Sequence, residues 1–307
     1  MDYTFAQVSV DKPLVSYKGN CGNISSGVGP FAIEKGLVEA KDGLTTVRIY
    51  NTNTDKIIAA DVHTKDGQVE YDGDFAIAGV PGTASPVKLK FVEPAGTMGK
   101  GLLPTGNAVD VLDVPGWGPV EVSIVDAANP LVFARAKDLG LTAKELPDDL
   151  NANAEKLELL EKVRGLAAVK LGLIDDYTRS AWDTPGIPKM TFVAEADDYV
   201  TPDGKEIKKE QIDLLSHMMS MQKTHPSYAM TGAMCTAAAA VAPASTTWSS
   251  SPPSPPPPLR LPSAPCPPAA RSSCPPSPPP RRPATKRTTA CSRTCSCSPS
   301  RTSASTS

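Results

Sequence analysis

After Val241 the chain stops using the residue types from which a hydrophobic core is built. Residues 242–307 are written in nine letters only (Ala, Cys, Lys, Leu, Pro, Arg, Ser, Thr and Trp), with no Val, Ile, Phe, Tyr or Gly. Such a segment cannot bury enough apolar surface to offset the entropy of ordering its backbone, so it is expected to be disordered. Any fold must come from the first 241 residues or so. Charge divides at nearly the same place. Residues 246–307 hold eight basic and no acidic side chains, whereas residues 1–245 hold 23 basic against 33 acidic. The formal net charge of −2 is therefore the sum of an acidic body and a +8 tail. Five of the seven cysteines also lie in the tail. That leaves Cys21 and Cys235 in the body, too few for a disulfide framework and consistent with a reducing compartment. Codons for Pro, Ser, Thr and Ala share cytosine at the second position. The tail therefore reads as an out-of-frame or wrong-exon translation of a C-rich gene. Transcript sequencing tests this, and an intact cDNA running in frame through the tail contradicts it.

Several classes are set aside by the same reading. No run of about 18 apolar residues is present, so no transmembrane helix is expected. The start, Met1-Asp2-Tyr3-Thr4-Phe5, lacks the basic and apolar regions of a signal peptide. A cytoplasmic location is the expectation. An acidic body argues against nucleic acid as a partner. About 245 residues suit two domains or one large one.

Periodicity gives the expected elements. Residues 3–10 alternate as a strand. A turn at Gly19–Gly22 leads into a helix from Ile24 to Lys35, closed by Gly36. Strands are expected at 45–51 and 57–62 around the Asn51–Asp55 turn, then at 68–71. Residues 79–118 read as Gly/Pro-rich loops around a strand at 87–92. A new strand at 120–125 opens a second domain. Asp138–Leu139 and Thr142–Glu145 suggest a short helix. The clearest helix spans 151–171, with Leu157, Leu160, Val163, Ala167 and Leu171 on one face. A strand at 190–194, a helix at 209–221 carrying His217, and a small-residue helix at 231–241 complete the body.

Two stretches could carry chemistry. Gly19-Asn20-Cys21-Gly22-Asn23 lies between a strand and a helix. Its glycines let backbone approach a ligand closely. A cysteine there has its thiolate favoured by the helix dipole. The free amides of Asn23, Ile24 and Ser25 could receive a carboxylate. The plain alternative is a Gly/Asn turn with a passive Cys. Met230-Thr231-Gly232-Ala233-Met234-Cys235 offers the same ingredients, with Thr231 as an ordinary N-cap and Cys235 as a core residue as its plain alternative. Together they suggest two related halves, each aiming a helix N-terminus at one site. His63, His217 and His225 have no metal-ligand spacing, and no metal is expected. Asp72-Gly73-Asp74 and Asp175-Asp176 read as turn or surface acids.

Residues 3–240 resemble the PrpF family, the 2-methylaconitate and methylitaconate isomerase group. The resemblance runs through Phe5-Ala6-Gln7-Val8, Gly19 to Asn23, Val28 to Glu34 and Arg48 to Thr54. It continues through Gly79 to Thr83, Pro94-Ala95-Gly96, Leu102 to Asn107, Val125 to Pro130 and Met230 to Ala233. It implies an α/β (α+β) protein of the diaminopimelate-epimerase-like fold. Such a protein has two pseudo-symmetric domains, each with curved sheet around a central helix, and a cleft between them. The expected division is 1–118, 119–243 and the tail 244–307. The implied chemistry is a cofactor-independent proton and double-bond shift in a small unsaturated di- or tricarboxylate such as 2-methylaconitate. By resemblance Cys21 holds the catalytic position. Asn20, Gly22 and Asn23 would help form the carboxylate pocket, Thr231 and Gly232 would oppose it, and Asn129 matches an Asn-Pro turn near the cleft. No cofactor, no nucleic acid, no membrane and a homodimer are the partner expectations.

The match also departs from the family. The resemblance would place an Arg-Gly-Gly-Thr-Ser-Lys motif and a Thr-Ser-Lys segment before Cys21, and neither is present. Further strands would follow the Ala run, where this chain enters its Pro/Ser tail. Both halves are thus expected to be incomplete, with unpaired strand edges, exposed apolar surface and impaired turnover. An oxalomesaconate-type tautomerase is the alternative on the same scaffold. A non-catalytic fragment whose tail is a proline-rich ligand is the alternative outside enzymes; Pro255–Arg260 and Pro276–Arg281 fit a PxxPxR peptide. Cys291, Cys295 and Cys297 lack the partners of a zinc site.

Overall fold

The computed structural model of the chain describes residues 1–9, 12–77, 80–201 and 203–242. The expectations for the tail (disorder, PxxPxR peptides and the three C-terminal cysteines) lie outside the described residues. Among the described residues, no helix is long and apolar enough to cross a membrane.

The N-terminal part runs β1 (Asp2–Tyr3), a small ribbon of β2 (Gln7–Val8) and β3 (Val15–Ser16), then α1 (Gly22–Ser25) and α2 (Val28–Glu34). It continues with β4 (Gly43–Asn51), β5 (Lys56–Lys65), β6 (Gln68–Val69) and β7 (Lys88–Phe91). The order β1-β4-β5-β6, with β7 also on β5, makes one five-stranded sheet. On β4, Thr45, Val47, Ile49 and Asn51 alternate inward, as a half-covered strand requires. Val47 and Ile49 pack with Ile58, Ala60 and Val62 of β5 against Ala32 and Ile33 of α2. Gly29 is needed there, because a Cβ on it would lie 3.0 Å from both Ala60 and Val62.

The second sheet comprises β8 (Asp110–Val114), β9 (Gly118–Ala127), β10 (Asn129–Arg135), β11 (Lys189–Glu195), β14 (Leu214–Ser220) and β15 (Lys223–Thr224). Its order is β15-β14-β11-β10-β9-β8, with only the β10–β11 pair parallel. A ribbon of β12 (Tyr199–Val200) and β13 (Glu206–Ile207) stands apart. Helices α3 (Pro147–Ala152), α4 (Ala154–Lys170), α5 (Ser180–Asp183) and α6 (Met230–Val241) complete the described body. The sheet is covered on both faces. On one, Leu160, Val163, Ala167 and Leu171 from the α4 region meet Val122, Ile124, Val132 and Phe192. On the other, Cys235 and Ala239 of α6 meet Val125, Ala127, Leu131 and Phe133. Double coverage explains the near-continuous apolar runs of β9 and β10.

Several sequence expectations are corrected. Residues 3–10 do not form one strand; only Asp2–Tyr3 and Gln7–Val8 pair. The single helix expected at 24–35 is two, broken at Ser26–Gly27. Pro30 has no N–H to give to the Ser26 carbonyl, so the helix restarts at Val28 with Pro30 in its first turn, where no donor is needed. The long helix at 151–171 is likewise split, and α4 starts from Asn153, whose side chain accepts from the Lys156 amide. Residues 142–145 are not helical; the Glu145 carboxylate instead accepts from the Thr142 amide at 2.7 Å. Residues 209–221 form a 3₁₀ turn and then strand β14, so His217 lies on a strand, stacked on Phe192 at 5.3 Å between centroids. Strands β8 and β10 were not expected from periodicity, and β8 lies within the stretch read as loops.

Candidate active site

Cys21 sits at the N-cap of α1 with an extended backbone (φ −119°, ψ 106°), as a free, partly exposed thiol. Its carbonyl accepts from the Ser25 amide at 3.0 Å and the Ser25 hydroxyl at 2.8 Å. The Ser25 amide is therefore already satisfied, and only the amides of Asn23 and Ile24 remain from the expected set.

Asn20, the residue before Cys21, is tied to the second sheet through Asn129. Its side chain is fully buried at the start of β10. Asn129 Oδ1 accepts from the Asn20 amide at 3.0 Å, while Nδ2 donates to the Asn20 carbonyl at 2.7 Å and to Thr231 Oγ1 at 2.8 Å. One amide thus clamps the Cys21 loop and the first turn of α6 together. Gly19 has φ +88°, and a Cβ on it would lie 2.8 Å from Ile187 and 3.1 Å from Asn129 Oδ1. Only glycine both takes that backbone conformation and leaves that space.

The two helix starts also touch directly. A Cβ on Gly22 would lie 2.9 Å from Met230 Cβ. Asn23 Oδ1 accepts from the Met230 amide at 3.2 Å, a cap for α6 supplied from the other sheet's side of the molecule. Asn20 Oδ1 turns inward, accepting from Asn51 Nδ2 at 3.2 Å and Ser25 Oγ at 3.3 Å. Of the sequence candidates, Cys21, Asn20, Gly22, Asn23, Asn129 and Thr231 are brought together. Thr231 is not the N-cap of α6; Ala229 holds that position and the Thr231 hydroxyl is engaged by Asn129. Gly232 faces β14, where a Cβ would overlap Met218 Sδ, so its role is close packing. Cys235 is a core residue: its thiol donates to the Val125 carbonyl at 3.3 Å, and burial pushes it up to about 12.

Three side chains escaped the sequence reading, two bearing on Cys21 and the third on one of those two. Tyr3 Oη is buried with no hydrogen bond of good geometry; burial holds the phenol above its usual range, the nearby Ser25 side chain opposes that shift and Cys21 adds to it. Lys189 opens β11. It is part-buried by surface area, yet the protein packed around its amine pushes it down to about 8, a shift that Cys21 opposes and Arg164 adds to. His225 is half-buried and held below its ordinary value by burial and then by the Lys189 charge. A Tyr, a Lys and a His spread over 223 positions carry no local spacing that could have announced them. The arrangement joins a thiol, a buried phenol and an amine at the meeting point of two helix starts. That is a set of acids and bases able to take and return a proton beside an anion.

Residues 1–251 match the family model described as PrpF protein. The chain belongs to the PrpF family. It is 45% identical over 239 residues to 3-methylitaconate isomerase of Eubacterium barkeri, covering 78% of this chain and 63% of that protein. It is 41% identical over 244 residues to 2-methyl-aconitate isomerase of Shewanella oneidensis, covering 77% of this chain and 61% of the relative. The chain thus spans somewhat under two thirds of the length of these PrpF relatives. A crystal structure of methylitaconate-delta-isomerase superposes with a TM-score of 0.68 at 44% identity, covering 80% of this chain and 64% of that one. The mixed α/β fold class expected from the resemblance is the one this PrpF chain has, shared with that methylitaconate-delta-isomerase.

Proposed function

We propose that this PrpF chain is built for cofactor-independent isomerisation of a small unsaturated di- or tricarboxylate, with 2-methylaconitate as the first substrate to test. The observation that carries the reading is the placement of the Cys21 thiol where the Asn129 clamp joins its loop to the start of α6. A carbon acid beside a carboxylate is hard to ionise. Cys21 is the group to remove or return the proton, and amides at the helix starts hold the negative charge that develops. The chemistry is supported by relatives named as methylitaconate and methylaconitate isomerases. A relative named (4E)-oxalomesaconate Delta-isomerase, 44% identical over 194 residues, favours a second substrate of the same class. In this reading residues 1–118 and 119–243 are the two epimerase-like halves and the site lies where they meet. Incubation with 2-methylaconitate in D₂O tests it: the chain should wash deuterium into the substrate, and Cys21→Ser should reduce the exchange by at least 100-fold. Exchange undiminished in Cys21→Ser would remove Cys21 from the chemistry.

A further inference from the structure

Strand register places Lys189 at the proposed site without reference to any motif. Lys189 pairs with Leu131 in the parallel β10–β11 ladder. Paired residues share a sheet face and alternate residues keep it, so Lys189 lies on the face of Leu131, Asn129 and Val193. That is the face covered by α6. Along the strand, Lys189 is at the end where Asn129 clamps the Cys21 loop to Thr231. Ile187, two residues earlier, packs against Gly19 of the same loop.

The charged groups bearing on this amine are Cys21, Arg164 and His225. None is a carboxylate. Arg164 is itself occupied, paired with Glu161 at 2.5 Å and donating to the Thr184 carbonyl at 2.7 Å. Among the described residues no acidic side chain forms an ion pair with Lys189. A part-buried ammonium surrounded by protein and lacking a protein counter-ion is costly unless an anion arrives from outside. We propose that Lys189 is a substrate-binding residue, whose ammonium group pairs with a carboxylate of the substrate and sets it beside Cys21. This rests on the isomerase reading and deepens it. The binding is a property of the protonated amine. It should be full near pH 7 and fade as pH rises through about 8, where the amine loses its proton.

The test uses the full chain with Lys189→Met, Lys189→Gln and Lys189→Arg. Alkylation of Cys21 by iodoacetamide at pH 7.5 is followed on its own peptide by mass spectrometry, with and without the tricarboxylate tricarballylate. Removing the neighbouring positive charge should slow alkylation several-fold in the Met and Gln variants, and Arg should restore it to within about twofold. Tricarballylate should protect Cys21 in the unsubstituted chain, and the two neutral variants should need at least tenfold more of it. Two neutral variants are read so that a folding defect in one, seen by circular dichroism, does not decide the result. Wild-type alkylation and wild-type protection in a folded neutral variant would overturn the assignment. If the unsubstituted chain exchanges deuterium into 2-methylaconitate while that happens, only the role of Lys189 falls. If the unsubstituted chain neither exchanges nor is protected, the isomerase reading falls with it.

Discussion

At the scale of single residues, two side chains hold the site at opposite energetic signs. Asn129 is buried and makes three hydrogen bonds across the junction. Asn129→Ala leaves a buried amide, a carbonyl and a hydroxyl short of partners, and should cost about 2–4 kcal/mol in urea unfolding. Lys189 works the other way. Its amine is held at about 8, against 10.5 for a free lysine. Between those values the unfolded chain binds a proton that the folded chain has released. Stability should therefore rise with pH across that window, and the buried charge should cost stability below it. Lys189→Met should stabilise the chain by about 1–3 kcal/mol at pH 7 and abolish the rise between pH 8 and 10, measured by urea unfolding at both ends. The Cys21 motif was legible in sequence because a turn-forming glycine pair, an asparagine and a cysteine are contiguous. Lys189 was not, because a Pro-Lys pair at the start of a strand says nothing about which loop the sheet will bring beside it.

At the scale of elements, periodicity found the half-covered strand β4 and apolar runs found the doubly covered β9 and β11, whereas β8, which alternates buried and exposed, lay hidden in a Gly/Pro-rich stretch. Strand β4 and the inward stripe of α4 follow their patterns closely, whereas β5 is buried without a break from Ile58 to Val62. Strand β14 falls in the stretch 209–221 expected as helix, and its Leu215, Met218 and Met219 do fall at i, i+3 and i+4. In the fold they are buried on opposite sides of a strand covered by core on both faces: Leu215 and Met219 toward α4, Met218 toward α6. A doubly buried strand and a helix can show the same apolar spacing. The contact between α6 and β14 gives a test. Gly232→Ala should push against Met218 and cost about 1–3 kcal/mol. Met218→Ala alone should cost about 2–4 kcal/mol by leaving a cavity. The double variant should lose distinctly less than the sum, because the new methyl enters the space that the methionine vacates. Additive losses would mean that the two residues are not packed together.

At the scale of the whole molecule, the near-neutral charge of the sequence conceals an acidic body that carries the family match and a basic tail that lies outside the described residues. The body's two sheets are held together at the proposed site by few groups: the Asn129 clamp, the Asn23 cap on α6, and two glycines that let backbones close up. A proton-transfer site there depends on the relative placement of the two helix starts, so changes at Gly22 or Asn23 should lower turnover before they lower overall stability. On the N-terminal part, Phe31, Leu37, Leu44, Tyr71, Phe75 and Ile77 are exposed apolar side chains, which favours association at high concentration. The most direct test of the account is deuterium uptake by 2-methylaconitate in D₂O, compared between the unsubstituted chain and Cys21→Ala at matched folded concentration. The account predicts uptake by the unsubstituted chain and at least a 100-fold loss in Cys21→Ala; equal uptake by the two would contradict it.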